Sequence, residues 1–136
     1  MGSQYDGRLY YSGLYYSRDH AWVRVEGSRA VVGISEFARS ELGEVSYVEL
    51  PAAGKRVRRG EPVCSIDSLK SASDIYAPLS GTVEAANSRL AGESGCALVN
   101  ADPLGEGWLF ALEMENPAEL AELLDPEGYR RYLEEG

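Results

Sequence analysis

The stretch "GEPVCSIDSLKSASDIYAPLSGTV", Gly60 to Val83, carries a single lysine, Lys70, near its centre. Only two of the thirteen basic residues in the 136-residue chain are lysines, Lys55 and Lys70. The flanks "EPVCSI" and "DIYAPLSGTVEAAN" read as strands, rich in Val, Ile and Tyr and punctuated by proline. Pro62 and Pro78 each lie eight residues from Lys70, and Asp67 and Asp74 lie three before and four after it. This near-symmetry predicts two half-motifs meeting in a hairpin with Lys70 at its tip. Ser68, Ser71, Ala72 and Ser73 are small and leave the tip sterically open. A lysine amine is an acylation target, whereas a guanidinium stays protonated and forms no such amide. An ordinary solvated lysine in a chain whose codons favour arginine is the competing explanation. Composition alone does not separate the two.

Outward from this hairpin, the pattern is of short strands. "WVRVEGSRAVVG" (22–33) reads as two strands around an "EGS" turn. "SEFARSELG" predicts a short helix near 35–42, with Ser35 as its cap and Gly43 just past its end. "EVSYVELP" alternates, which puts Val45, Tyr47 and Glu49 on one face and Ser46, Val48 and Leu50 on the other. "AAGKRVRRG" continues into another strand and a turn, and Pro62 and Pro78 are expected at strand starts, edges or bulges. The C-terminal part is expected to be helical. "NPAELAELL" offers Asn116 as cap, Pro117 at the first position, Glu119 at the third and a Leu120, Leu123, Leu124 stripe. "DPEGYRRYLEE" repeats the Asp-Pro start, with Tyr129, Tyr132 and Leu133 on one face. Both stripes, together with Trp22 and Trp108, read as packing surfaces. The sum is a mainly β sandwich or barrel with helical additions.

Composition narrows the function. A net charge of −9 argues against binding a nucleic-acid backbone, and "GKRVRRG" is too short to reverse that. No apolar run approaches the roughly 20 residues of a membrane span, and the N-terminus lacks a secretory pattern, so the expectation is a cytoplasmic protein. Cys64 and Cys96 form no C-x-x-C, and His20 is the only histidine, so a zinc site is not expected. Both cysteines read as small buried hydrophobes.

At this point the motifs carry a resemblance. The lysine stretch resembles the lipoyl-lysine loop of the glycine cleavage system H protein family, close to GEP-x4-ES-V-K-A-x-SD-x-Y-x-P-x-SG-x-V. "YYSRDHAWVRVEG" (15–27), "VGISEFARSELGEVSYVELPAAG" (32–54) and "LVNADPLGEGWL" (98–109) are similar to further motifs of that family, in the same order. The resemblance covers roughly Tyr15 to Leu133. It implies a lipoyl-domain barrel-sandwich of two antiparallel sheets with C-terminal helices. Residues 1–14 then form an N-terminal extension and 15–136 the carrier domain. It also implies lipoic acid in amide linkage on Lys70, so that the protein is a non-catalytic carrier. In that role the oxidised lipoyl group accepts an aminomethyl group from glycine decarboxylase and presents it to the aminomethyltransferase. Dihydrolipoamide dehydrogenase restores the disulfide, and a lipoate ligase or transferase attaches the group. His20, Asp67, Ser68, Ser71 and Asp74 are candidate arm or partner contacts; for His20 a structural hydrogen-bonding role competes, and for the aspartates a solvated-charge role.

The chain departs from the family pattern at Asp67 (usually Glu), Leu69 (usually Val), Leu104 (usually Tyr), in "AGESGCALVN" and in its two cysteines. A related group is similar as well: H-like lipoate-binding proteins that work with a heterodisulfide-reductase-like complex in sulfur oxidation. Their chemistry at the lysine is shared and their partners differ. A thiol-disulfide protein using Cys64 and Cys96 is a reading of another class, which requires exposed thiols in an electropositive setting. A biotin carrier is disfavoured, because the A-M-K-M context of its lysine is absent.

Overall fold

The computed structural model describes residues 14–91 and 95–135. Among the described residues the first strand begins at Leu14; residues 1–13, most of the expected N-terminal extension, lie outside the described residues. Strands β1 (Leu14–Tyr16), β2 (Ala21–Glu26) and β3 (Arg29–Ile34) precede helix α1 (Glu36–Leu42). Next come β4 (Val45–Glu49), β5 (Arg56–Val57), β6 (Pro62–Ser68), β7 (Ala72–Tyr76) and β8 (Gly81–Ala86). A 3-10 turn (Ser88–Leu90), α2 (Cys96–Ala101), β9 (Phe110–Met114), a second 3-10 helix (Pro117–Glu122) and α3 (Pro126–Glu135) complete the described chain. The strands form two antiparallel sheets, of order β1-β2-β3-β9-β8-β5 and β4-β6-β7. This is the expected mainly β sandwich.

The core lies between the sheets, where Val23, Val32, Val48, Ile66, Val83 and Leu112 are almost wholly buried. A smaller cluster of Trp22, Val31 and Ala111 is separate from it, with Trp108 packed alongside. Trp22 is fully buried, and its indole N–H donates to the Pro103 carbonyl at 2.8 Å. Gly33 makes room for that indole: a Cβ there would stand 2.6 Å from the ring. Both tryptophans are therefore packing residues. No helix among the described residues is long and apolar enough to cross a membrane.

Local sequence predicts α1 correctly. Ser35 accepts the Ala38 N–H at 3.1 Å, and Gly43 terminates the helix at φ +79°. Three other expectations need correction. The alternation in β4 is broken by a register shift between Val45 and Tyr47, so Val45 and Val48 are both buried while Tyr47 is exposed. A bulge adds a residue to one strand and resets which face follows. Pro62 does open a strand, but Pro78 lies between β7 and β8 rather than in either. The leucine-rich segment after Asn116 forms only a 3-10 helix that ends at Glu122. Leu124 instead exchanges both backbone hydrogen bonds with Tyr16, at 2.8 Å each, which pulls the chain into extended geometry. Glu119 does not close a capping box; its carboxylate takes the Ser80 N–H and O–H at 2.7 and 2.9 Å. The last helix forms as expected, with the Asp125 carboxylate accepting the Gly128 N–H.

Candidate functional site

Strands β6 and β7 pair antiparallel from Pro62↔Tyr76 to Asp67↔Ala72, and the hairpin between them turns at Leu69 and Lys70. Ser68 fastens this turn. Its N–H donates to the Ser71 carbonyl at 2.7 Å, and its hydroxyl accepts the Ser71 N–H and donates to the Ser71 carbonyl at 3.1 Å each. The Lys70 N–H also reaches the Ser68 hydroxyl, at 3.3 Å. The backbone beneath the lysine is thus fixed while its side chain is exposed.

The tip rests on the end of α1. The Leu69 N–H donates to the Glu44 carbonyl at 3.2 Å. The lysine stem crosses Gly43, where a Cβ would stand 3.3 Å from Lys70 Cε. Asn100 on α2 fixes the next residue from below: its side-chain carbonyl accepts the Val45 N–H at 2.8 Å, and its amide donates to the Val45 carbonyl at 3.1 Å. Among the described residues Lys70 joins no ion pair, whereas Arg29, Arg56, Arg89 and Arg130 all engage carboxylates.

Beside the hairpin lies a cleft of about 430 Å³. The outer edge of β7, from Ser71 to Tyr76, forms one wall; Phe37, Ala38, Glu41 and Leu42 of α1 form another; Asp19, His20 and Ala21 close the end. Ala21, Ile34, Leu42 and Ile75 are buried beneath it, and the carboxylates of Asp19, Glu41 and Asp74 are exposed at its rim. Of the residues singled out from sequence, the cleft brings together His20, Ser71 and Asp74 next to Lys70. It does not include Asp67 or Ser68. Asp67 sits opposite Tyr47, where its backbone carbonyl accepts the Ser46 hydroxyl at 3.2 Å, and Ser68 belongs to the turn.

His20 is held in an aromatic setting. Its ring centroid is 4.7 Å from that of Phe37 and 5.8 Å from those of Tyr129 and Tyr132. Nδ1 is 2.8 Å from the Tyr129 hydroxyl, which is also 2.8 Å from the Ser35 hydroxyl. Burial holds the imidazole pKa below its ordinary value, against the opposing pull of Asp19 and Glu41. Sequence reasoning did not single out Gly43, Glu41, Phe37 or Asn100 for this site. Their partners lie up to 55 positions away; the local pattern marks Gly43 as the end of a helix but not as the residue beneath the lysine stem. Cys64 and Cys96 are both buried. Burial first, then the Glu49 and Asp74 charges, push the Cys64 thiol up to about 12.

The geometry agrees with the comparisons. The model of the family described as "Glycine cleavage H-protein" matches residues 14–136. A glycine cleavage system H protein of Xanthobacter autotrophicus is 50% identical over 119 residues, covering 88% of this chain and 94% of the relative. One from Thermus thermophilus is 48% identical over 120 residues, covering 88% and 92%. The crystal structure of a glycine cleavage system H protein from Mycobacterium marinum superposes with a TM-score of 0.77 at 29% identity, covering 90% of this chain and 95% of that one. The chain belongs to the glycine cleavage H-protein family.

Proposed function

We propose that Lys70 carries lipoic acid in amide linkage and that the protein is a swinging-arm carrier in glycine cleavage. The observation that carries this reading is a cleft that starts at Ser71, next to an exposed lysine that joins no ion pair among the described residues. The residues present fit such a group. The tip is open, Ser68 and the Gly43–Glu44 corner fix the backbone below it, and the neighbouring cleft has an apolar floor for an aliphatic chain. When attached, the dithiolane supplies the redox and group-transfer chemistry. The chain's own residues mount the arm, offer it a place out of water and present it to partners. Those partners are glycine decarboxylase, the aminomethyltransferase, dihydrolipoamide dehydrogenase and the lipoate ligase or transferase.

The charge of the cleft bears on the cargo. Asp19, Glu41 and Asp74 line it, and among the described residues no lysine or arginine does. Carboxylates favour a cationic amine cargo over an anionic sulfur one, which supports the glycine role over a sulfur-carrying role with a heterodisulfide-reductase-like complex. A buried thiol with a pKa pushed up to about 12 is a poor nucleophile, which weighs against thiol-disulfide chemistry at Cys64.

Incubation of the unmodified protein with lipoate, ATP and a lipoate ligase should place one lipoyl mass on Lys70 in peptide mapping. Lys70→Arg should fold with a stability within about 0.5 kcal/mol of the parent, since it is a surface change. It should take up no lipoate and be inactive in a glycine–bicarbonate exchange assay with the decarboxylase. Modification at Lys55, or activity of Lys70→Arg, would overturn the assignment.

A further inference from the structure

His20 is the one described non-glycine residue with a positive φ, at 71°. That conformation is uncommon for a non-glycine residue, although histidine enters it more readily than most. Its backbone is held at both ends: its N–H donates to the Ser17 carbonyl at 3.0 Å, and its carbonyl accepts the Ser35 N–H at 2.9 Å. Its ring is held by Tyr129, which lies on the C-terminal helix 109 positions away. Tyr129 is itself clamped, with its ring stacked on Tyr16 at 4.3 Å and 1° between planes.

The protons of this cluster can be assigned by counting donors and acceptors. The Ser35 oxygen already accepts the Ala38 N–H, as the cap of α1. Ser35 is 1% exposed, so its own O–H needs an acceptor inside the protein. Among the described residues, the remaining partner of that hydroxyl is the Tyr129 oxygen, at 2.8 Å. With the Ser35 proton directed at Tyr129, the phenol proton also needs an acceptor, because Tyr129 is 6% exposed; among the described residues the remaining partner of that hydroxyl is His20 Nδ1, which is then the bare acceptor. The reverse direction leaves a buried serine proton without a partner, which is strongly disfavoured.

We propose that Tyr129 is a positioning residue for the cleft: through the relay Ser35 to Tyr129 to His20 Nδ1 it holds the imidazole as the neutral Nε2–H tautomer at the cleft end. The relay joins three elements that form or back the cleft: the turn before β2, the N-terminus of α1, and α3. It fixes the ring and assigns it no net charge, so the cleft keeps the negative character of Asp19, Glu41 and Asp74. The functional value of this rests on the carrier reading above, but the tautomer itself does not depend on it.

The test uses the unmodified full chain, so a failure of lipoylation and a failure of this inference are separate results. Long-range ¹H–¹⁵N NMR at pH 8 on ¹⁵N-labelled protein reads the two ring nitrogens of the single histidine directly. The parent should show a protonated Nε2 and an unprotonated Nδ1. Tyr129→Phe keeps the ring that stacks on Tyr16 and removes only the hydroxyl, so it should fold and shift His20 toward a mixture of tautomers. A parent spectrum with the proton on Nδ1 would overturn the proton assignment. An unchanged tautomer in Tyr129→Phe would overturn the role of Tyr129.

Discussion

Gly43 and His20 occupy the two residues on which the site turns, and both have positive φ, 79° and 71°. At Gly43 the reason is doubly steric: the helix ends there in a conformation that favours glycine, and a side chain would meet the lysine stem at 3.3 Å. At His20 the conformation is held by hydrogen bonds, and burial lowers the pKa of the ring. The pH dependence follows from the direction of that shift. The folded pKa lies below the unfolded value of 6.5, with desolvation outweighing Asp19 and Glu41. Well above pH 6.5 neither state holds a proton at this site and stability does not depend on its titration. As the pH falls below 6.5, the unfolded chain binds a proton that the folded ring resists, so stability declines. His20→Asn tolerates a positive φ and cannot titrate. Urea unfolding of both proteins from pH 7.5 to 5 should show a shallower loss of stability in the variant. Parallel profiles would mean that His20 has the same pKa folded and unfolded.

At the scale of elements, the corner between α1 and β4 sets the height of the hairpin. Asn100 pairs with both polar groups of the Val45 backbone, directly after the Glu44 carbonyl that receives the hairpin tip. Asn100→Ala removes both bonds and leaves a part-buried N–H without its acceptor. A loss of about 1–3 kcal/mol is expected, read as a lower urea midpoint together with faster exchange of the Val45 and Leu69 amides. A midpoint shift without faster exchange at Leu69 would uncouple α2 from the hairpin. The same elements mark what was legible in the sequence. Helix α1 was, because Ser35 and Gly43 act within one turn of it. The β2–β3 hairpin was too, because the turn joining its strands is local. The β4 bulge was not: it is imposed by pairing with β6, and alternation carries no trace of it. Nor was the short 3-10 helix after Asn116, because the competing partner of Leu124 is Tyr16, over a hundred positions earlier. At the candidate site, the hairpin that turns at Lys70 was readable from the strand signals on either side of it. The cleft beside it was not, because it is assembled from three segments that meet only in the fold.

For the whole molecule, charge is unevenly used. The net charge is −9, yet many arginines are paired away from the cleft, as in the two-pronged Arg56–Glu115 contact at 2.8 and 3.0 Å. Asp19, Glu41 and Asp74 form no such pairs among the described residues, and all three face one cleft. Their placement gives the cleft a negative rim over an apolar floor, which on the proposed carrier reading would suit an arm ending in an ammonium. Each exposed carboxylate is worth roughly 0.2–1 kcal/mol to a nearby cation, so the three together correspond to about a tenfold effect on retention. The triple variant Asp19→Asn, Glu41→Gln, Asp74→Asn keeps shape and removes charge. On lipoylated protein loaded with the amine cargo, spontaneous loss of that cargo should be about tenfold faster in the variant at low salt. Raising the salt toward 1 M, where the screening length falls to about 3 Å, should speed the parent and leave the variant nearly unchanged. Equal loss rates at low salt would show that the cleft shields its cargo through its apolar floor alone.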